Sequence, residues 1–273
     1  MARPLSPADL AERLDAHLAR VARRRARRGL PAPQVLVLAP GLEYSSGSRE
    51  TRGLFAAPGA TVEHLLAHTR ERQRPVGEPG RRFHYSDTGF VLLGRILEEV
   101  TGESFTALQR KRVLEPAGMT ASALWQREDG PERIAPLWVD GVELSTARSM
   151  SVDWAGGGLA STLDDLARLA RALHDGTLLR PESFAAMTAP RSRFRSGIRY
   201  GLGAMQLDFS GFSHFLRGLP RPVGHLGVLG VHCFTDPARE ATVVLNFHST
   251  REMRASFQTH IRIAAMLDRA RLS

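Results

Sequence analysis

The sequence predicts an α+β fold in which strands from both ends of the chain form one antiparallel sheet and the middle of the chain forms an inserted helical lobe. Strand-like apolar runs occur near the N-terminus and again after about residue 197, helical periodicity dominates between them, and amphipathic helices flank both ends. The 273 residues suit a single domain, with an α/β lobe at about 1–55 and 195–273 and a helical lobe at about 56–194.

The first elements are read from local signals. Residues 6–9 are typical of a helix start, with a serine cap, a proline in the first turn and an acidic residue near the positive helix end. Gly29 provides the stop. The apolar positions between them recur at helical spacing: Leu10, Leu14, Leu18 and Val21. Residues 34–39 are then predicted as a buried strand and residues 42–46 as its hairpin partner, after a Pro40-Gly41 turn.

The remaining elements alternate between the two lobes. Helices are predicted from Val62 to His68, from Gly89 to Val100 and from a Ser161 cap to Gly176. Strands are predicted at residues 200–207, 230–234 and 241–246, followed by an amphipathic helix from Ala255 to Leu267.

The charge distribution is dominated by arginine. The net charge is +9, and Lys111 is the only lysine among 37 basic residues. The simplest explanation for the excess of arginine over lysine is a nucleotide-composition bias in the source genome. The basic run from Arg20 to Arg28 contains no aromatic residues that could stack on bases, and no nucleic-acid-binding motif accompanies it. We therefore interpret the run as the solvated side of a helix and predict no nucleic-acid partner.

Several absences narrow the functional class. No apolar stretch approaches the length of a membrane span, and the N-terminal residues lack an apolar signal-like region. The single cysteine, Cys233, cannot form an internal disulfide. We predict a cytoplasmic protein without membrane contact. Gly156–Gly158 lacks the rest of a dinucleotide fingerprint, and we predict a turn there and no cofactor.

Five segments, taken in order, carry a family resemblance. They are the helix-like Val62–Thr69, the stretch Pro79–Gly102 with Tyr85-Ser-Asp87, and the segments Arg112–Met119, Ala155–Thr162 and Gly224-His-Leu-Gly227. Together they resemble the serine β-lactamase, penicillin-binding-protein and esterase superfamily. The resemblance implies a β-lactamase/transpeptidase-like fold, with Tyr85-Ser-Asp87 at the family's Tyr-x-Asn motif and Gly224–Gly227 at its third motif.

The family's nucleophilic Ser-x-x-Lys element is missing from this sequence. In the family its serine accepts the acyl group and its lysine helps to take the serine proton. The residue three before Lys111 is Leu108, so the motif occurs nowhere in the 273 residues. Ser46 and Ser145 are each followed three residues later by arginine, which stays protonated and cannot act as that base. The usual acyl-enzyme mechanism is therefore not expected.

The residues left in the implied cleft suggest acid–base chemistry. The resemblance implies that Tyr85 is a proton-transferring tyrosine and that His225 faces the pocket from an edge strand. Asp87 stands at the position where the family usually has asparagine. Gly227 would admit substrate close to the backbone, and Val228 would supply half of an oxyanion hole. Ser86 is a further candidate substrate contact.

Each candidate also has a structural interpretation. Tyr85 can serve as a buried hydrogen-bonding tyrosine, Asp87 as a helix cap, and His225 as a packed strand residue. His64 and His68 are spaced for one metal ion, but no third ligand is apparent, so we predict structural histidines and no metal. We predict Cys233 as a small core residue rather than a nucleophile.

Two functional hypotheses follow. In the first, the protein is an enzyme using Tyr85, His225 and Asp87 for cyclisation, isomerisation, elimination or non-covalent hydrolysis of a small acyl or natural-product-like substrate. In the second, it is a pseudoenzyme that binds a ligand or a protein partner, and an inactive deletion variant is a third. Deleting the nucleophile helix would uncover apolar surface. It must be covered by the Arg49–Ala60 segment and the N-terminal helix, with Leu54 and Phe55 as the plug, by a second subunit, or by a sizeable apolar ligand. We favour a homodimer with an enlarged, mostly apolar pocket.

Overall fold

The computed structural model describes most of the chain and leaves out several short segments. The described residues are 5–39, 42–46, 62–72, 77–78, 80–125, 134–147 and 154–270. The predicted plug residues Leu54 and Phe55 lie outside them, as does the connection from residue 47 to 61. The side chains of residues 38–46 and of His64, His68 and Arg72 also lie outside the description.

Eight α-helices and twelve strands are assigned within the described residues. The helices are α1 Pro7–Ala26, α2 Val62–Arg72, α3 Asp87–Thr101, α4 Phe105–Gln109, α5 Trp154–Gly157, α6 Leu163–His174, α7 Pro181–Thr188 and α8 Met253–Ala270. The strands are β1 Gln34–Ala39, β2 Leu42–Ser46, β3 Ala123–Leu124, β4 Trp138–Val139, β5 Val142–Glu143, β6 Leu159–Ala160, β7 Ser192–Arg195, β8 Ile198–Tyr200, β9 Met205–Leu207, β10 Val223–Gly227, β11 Val231–Asp236 and β12 Ala241–Asn246.

One antiparallel sheet of eight strands organises the molecule. Its order is β2-β1-β12-β11-β10-β9-β8-β7, so the N-terminal hairpin lies beside the last strand of the chain. The register pairs Gln34 with Asn246 and Leu38 with Thr242. The predicted α+β fold, with a sheet built from both chain ends and helices between them, is confirmed.

Strand alternation separates two cores. Val35 and Val37 of β1 are fully buried beneath α1 and α8, where they pack with Leu10 and Leu14. Leu36, between them, points to the other face and packs against Leu163 of α6. Because successive side chains of a strand point to opposite faces, β1 contributes to both layers, which requires a strand that is apolar throughout.

Helix α1 begins as its sequence predicts but buries one of its arginines. Ser6 and Asp9 form a reciprocal capping box, and Gly29 follows the helix with φ at 67°. Arg25 is buried, contrary to our interpretation of the basic run as solvated. Its Nε donates to the Pro31 carbonyl, its Nη2 donates to the Phe247 carbonyl, and its Nη1 lies 2.9 Å from the Glu252 carboxylate.

Several predicted boundaries need correction. The run at residues 200–207 is two strands, β8 and β9, with the chain turning between Gly201 and Ala204. Helix α3 begins at Asp87 rather than near Gly89, and Ser86 caps it. The cap of α6 is Thr162, which accepts from the Asp165 amide, and not Ser161. In both helices the residue with the required extended backbone, Ser86 or Thr162, lies one position from the residue that we considered as the cap.

Four histidines are buried in the sheet and in the helices that cover it. His232 lies 3.0 Å from His260, Nδ1 to Nδ1, and His17 lies 3.3 Å from the Thr259 hydroxyl. Burial lowers the pKa of His260 to about 3. Burial, with a further contribution from nearby arginines, lowers the pKa of His17 and of His248 to about 4. Burial and the neighbouring His260 place the pKa of His232 well below its usual value.

We expect the fold to lose stability steeply on mild acidification. The unfolded chain binds protons at these histidines below pH 6.5, whereas the folded chain does not until about pH 4. The contribution of these histidines to the free energy of unfolding is therefore fully present above pH 6.5. Below pH 6.5 the free energy of unfolding falls by about 1.4 kcal/mol per pH unit for each proton taken up on unfolding. Urea unfolding between about pH 7.5 and pH 5, above most carboxylate titration, measures this slope.

A matched pair of variants tests the origin of the slope. His17→Gln keeps a hydrogen-bonding group opposite Thr259 and should reduce the slope by about one proton. His214→Gln changes an exposed histidine and should leave it unchanged. A free energy of unfolding that does not change between these pH values would contradict the assignment.

Candidate functional site

A cavity of about 560 Å³ opens between the sheet and the helical lobe. One wall is the C-terminal half of β10 with the turn after it, and the opposite wall is the start of α3. The loop between α5 and β6 and the first turns of α6 complete the lining. Most of the lining is apolar, and among the described residues that line the cavity only Asp87 has a formal charge when histidine is neutral. This arrangement is typical of a small-molecule site.

β10 brings His225 to this wall. Its pairs with β9 are Val223 with Gln206 and Gly224 with Met205, so the pairing with β9 ends before His225. Our expectation of an edge strand is therefore wrong for β10 as a whole, because β9 and β11 flank it. A Cβ at Gly224 would lie 1.9 Å from the Cys233 carbonyl oxygen, which explains the glycine there.

The hydrogen bonds of His225 define its tautomer. Nδ1 lies 2.8 Å from the Leu226 carbonyl oxygen, which can only accept, so Nδ1 carries the proton. In the neutral ring Nε2 then has a free electron pair, and it lies 3.1 Å from the Tyr200 hydroxyl. Tyr200 therefore donates to His225. The two form a hydrogen-bonded pair at the cavity.

Burial keeps both members of this pair neutral. Burial lowers the pKa of His225, while the Leu226 carbonyl and the Asp87 charge partly oppose that change. Burial, together with a smaller contribution from the Asp87 charge, raises the pKa of Tyr200 to about 12. At neutral pH the pair therefore consists of an uncharged imidazole with a basic nitrogen and an uncharged phenol that can donate a hydrogen bond.

Tyr85 lies on the same cavity as His225, with ring centroids 6.3 Å apart. It is half-buried in an aromatic cluster, 5.4 Å from Phe194, 5.6 Å from Tyr200 and 6.0 Å from Phe90, centroid to centroid. The cluster holds the ring edge-on to Tyr200. The structure thus brings the two motif residues together, beside a second tyrosine.

Ser86 and Asp87 have different roles at the start of α3. The Ser86 hydroxyl accepts from the Gly89 amide at 3.1 Å and so caps the helix, while Ser86 itself does not line the cavity. Asp87 is the first residue of the helix, is exposed, and does line the cavity. The capping role that we considered for Asp87 is therefore filled by Ser86, and Asp87 is an exposed residue of the cavity lining.

Gly227 and Val228 both line the cavity, at the end of β10 and in the turn after it. A Cβ at Gly227 would lie 3.1 Å from the Val231 Cβ, so packing against the neighbouring strand favours glycine. Val228 is exposed, which leaves its backbone accessible from the cavity mouth.

Two residues at or behind the cavity wall escaped the sequence analysis. One is Tyr200, which does not line the cavity but whose hydroxyl contacts His225, and which we had placed only within a strand. The other is Ser161, whose hydroxyl lies 2.7 Å from that of Ser122. The Ser122 hydroxyl donates to the buried Asp165 carboxylate at 2.7 Å, so the Ser161 hydroxyl donates to Ser122. A hydrogen-bonded path thus connects the cavity wall to a buried anion.

The remaining candidates behave as structural residues where they are described. Cys233 donates to the Leu166 carbonyl at 3.7 Å, and burial raises the pKa of its thiol to about 12. His232 points to the opposite face of the sheet. The side chains of His64 and His68 lie outside the described part of the chain. Within that part, no group of three or more His, Cys, Asp or Glu residues could hold a metal ion.

This architecture is the β-lactamase/transpeptidase-like fold. The chain matches the Beta-lactamase family model over residues 9–266, and it belongs to that family. It is similar in fold to the D-amino acid amidase of Ochrobactrum anthropi SV3 complexed with L-phenylalanine amide, with a TM-score of 0.77, 17% identity, and coverage of 94% of this chain and 99% of that one.

Two penicillin-binding proteins are also similar. The octameric penicillin-binding protein homologue from Pyrococcus abyssi has a TM-score of 0.71 and 19% identity, over 93% of this chain and 76% of that one. Penicillin-binding protein 4* of Bacillus subtilis is 39% identical over 110 residues, which are 29% of this chain and 24% of that protein. The chain spans 22% to 43% of the length of five such curated relatives.

The described residues include no helix long and apolar enough to cross a membrane.

We expect Asp87→Asn to lower the pKa of both His225 and Tyr200. The Asp87 carboxylate raises the pKa of both groups. At His225 it opposes the effect of burial, and at Tyr200 it adds to it. Removing the charge therefore lowers both pKa values. Titration of the imidazole by NMR measures the change at His225. Glu99→Gln, which removes an exposed carboxylate from the same helix, is the control. An unchanged His225 titration in Asp87→Asn would show that the two groups do not interact.

Proposed function

We propose that this protein is a hydrolase-type enzyme that acts on a small acyl compound by acid–base chemistry at the Tyr200–His225 pair, without a serine acyl-enzyme. The observation that carries the proposal is the hydrogen bond from the Tyr200 hydroxyl to His225 Nε2 at the cavity wall. It supplies a neutral base and a neutral hydrogen-bond donor side by side, which is what water-mediated hydrolysis near neutral pH needs.

Asp87 indicates the kind of substrate. In the part of the lining that the structure describes, which is mostly apolar, no other residue has a formal charge, so the cavity favours a molecule with a cationic amine and an apolar body. An amino-acid amide or ester has both features. The relationship to a D-amino acid amidase supports this choice of substrate class.

The proposed reaction needs no covalent intermediate on the protein. On substrate binding, the Tyr200 hydroxyl turns from His225 to donate to the acyl oxygen, which frees Nε2. A water molecule attacks the acyl carbon and gives one proton to Nε2. The tetrahedral intermediate then collapses as the imidazolium returns that proton to the departing nitrogen or oxygen, and the products are a carboxylic acid and an amine or alcohol.

Tyr85 has a positioning role in this scheme. Its ring is packed edge-on to Tyr200 and close to His225, and it therefore limits how far either side chain can turn. This differs from the proton transfer that the family resemblance implies for Tyr85, which stays a prediction.

A second candidate function is ligand binding without turnover. One observation favours it: the electron pair of His225 that would act as the base is already engaged by Tyr200. A protein that never frees this nitrogen would bind the same amine-bearing molecules and release them unchanged.

We expect His225→Ala and Tyr200→Phe each to lower the hydrolysis rate of amino-acid amides and esters by about a hundredfold or more, the usual range for general acid–base groups. Release of ammonia from both enantiomers of phenylalanine amide, at pH values above and below the His225 transition, measures the rate. Activity should fall on acidification, because protonated His225 cannot accept a proton. His214→Ala, which changes an exposed histidine away from the cavity, should be unaffected.

Intact-mass spectrometry after incubation with a fluorophosphonate or a penicillin separates the mechanisms. The proposal requires no stoichiometric adduct. An adduct on a serine such as Ser161 would replace it with covalent catalysis, and binding of the amide without release of ammonia would support the second candidate.

We also propose that the protein assembles as a homodimer through α3. Its Leu92, Leu93, Ile96, Leu97 and Val100 are between 45% and 79% exposed, which is unusual for five large apolar residues on one helix. The existence of an octameric homologue supports assembly of this fold. In a two-fold symmetric dimer, the apolar face of α3 in each copy would pack against the same face of the other copy, and both faces would be buried.

Light scattering at micromolar concentration tests this assembly. We expect a dimer for the natural sequence and a monomer for the variant Leu93→Glu/Ile96→Glu, because two buried charges would oppose the contact. Leu202→Glu changes an exposed leucine in the turn between β8 and β9 and should leave the dimer intact. A monodisperse monomer of the natural sequence would show that this face is not a dimer interface.

A further inference from the structure

A second cleft, separate from the cavity at His225, runs between α1 and α8 and encloses about 1000 Å³. Seven arginines and a single carboxylate, Glu252, line it. Of the charged groups at its surface, Arg13, Arg20 and Arg24 come from α1, and Arg262 and Arg269 come from α8. Both walls therefore carry the same sign of charge.

The ion pairs in and beside this cleft involve other arginines and not these five. Glu252 pairs with Arg25 and with Arg28 at one end. Asp268, the acidic residue of α8 nearest to Arg269 in sequence, pairs with Arg239 instead. Within the described residues, no ion pair joins any of the five exposed arginines to a carboxylate. The cleft thus carries a concentrated positive charge.

The titration of His17 at the floor of the cleft reflects this charge. Besides burial, the guanidinium groups of Arg262 and Arg20 lower its pKa, which is about 4. The imidazole and the Thr259 hydroxyl, 3.3 Å apart, connect α1 to α8 at this point. Arg20 of α1 and Arg262 of α8 therefore both contribute positive potential at His17, in the middle of the cleft.

Between the arginines the cleft is lined by apolar side chains, including Ala16, Val21, Ala265 and Met266, together with the polar groups of His17 and Thr259. A groove between two packed helices is a geometry into which the ridge of a third helix fits. From Arg13 to Arg24 the axis of α1 advances about 16 Å, which matches about eleven residues of a docked helix at about 1.5 Å per residue, so a helix of about fifteen residues spans the cleft.

We propose that the α1/α8 cleft binds an acidic amphipathic helix of a partner protein, whose apolar stripe lies on the floor and whose carboxylates pair with the arginines of the two walls. Guanidinium groups pair with carboxylates in a two-pronged geometry, so the walls match Glu and Asp side chains. A nucleic acid would gain little base stacking, because the described lining of the cleft contains no Phe, Tyr or Trp and its one imidazole, that of His17, is buried. A flat membrane would reach only the rims, and none of the large apolar side chains exposed in the described residues lies on α1 or α8.

The test uses the full chain and a synthetic helix of about fifteen residues, with a Leu/Ala stripe at helical spacing and Glu on both flanks, labelled for fluorescence anisotropy. A scrambled peptide of the same composition and inorganic polyphosphate are the comparison probes. We expect the amphipathic peptide to bind with micromolar affinity at low salt, to bind at least fivefold more tightly than the scrambled peptide, and to weaken as salt rises.

Two double variants of equal charge change locate the binding. Arg20→Glu/Arg262→Glu should weaken the peptide at least tenfold. Arg191→Glu/Arg217→Glu changes exposed arginines outside the cleft and should stay within about twofold. Both pairs are on the surface, and circular dichroism verifies that each variant folds. In the natural sequence, binding should also raise the pKa of His17, since the new carboxylates offset the two arginines.

Three results would overturn the proposal. The first is no peptide binding at low salt. The second is equal binding of the scrambled peptide or of polyphosphate, which would mean that the cleft recognises negative charge alone. The third is an equal loss in both double variants, which would mean that the net charge of the whole chain is responsible.

Discussion

The antiparallel pairing of β1 with β12 is the constraint on which the rest of the structure depends. It joins residues more than 200 positions apart, such as Gln34 and Asn246, so the described elements from α2 to α7 form one insertion between strands of the same sheet. Arg25 strengthens the same junction, because its guanidinium connects the end of α1 to the Phe247 carbonyl and to Glu252. Removing one partner of such a buried pair costs about 3–5 kcal/mol, since the other charge is left without compensation.

Burial then determines what the cavity can do chemically. The same exclusion of water lowers the pKa of His225 and raises that of Tyr200, so the neutral forms of both groups are favoured and a proton can pass between neutral partners. Asp87 keeps its position at the exposed start of α3, where water stabilises a charge. A sequence with one lysine could not place a neutral amine base here, because arginine remains protonated in proteins. Histidine paired with tyrosine is the base system that these residue types allow.

The sequence predicted those parts of the molecule that local patterns determine. The bounds of β1, β2 and β12 and the start of α1 agree with the structure, because strand character, prolines and a capping box are all encoded within a few residues. Tyr200 and Arg25 could not be predicted in this way. Tyr200 reaches His225 through the register of three strands, and Arg25 is buried only because Glu252 and Phe247 arrive from the far end of the chain. The helix caps were misplaced by one position because serine, threonine and aspartate compete at each helix start.

The fate of the basic run in α1 shows why composition alone does not explain an arginine. At about 100° per residue, consecutive arginines of one helix point in different directions. Arg25 points inward and holds the chain ends together, Arg20 and Arg24 point into the cleft beside α8, and Arg23 and Arg27 are exposed. The number of arginines in the chain does not by itself explain their convergence on one cleft with those of α8. Like charges four residues apart on a helix destabilise it by about 0.2–0.5 kcal/mol per pair, and the charges of α8 add to that repulsion. Any anionic group that binds in the cleft removes part of this cost, so binding there and the stability of the α1/α8 layer are thermodynamically linked.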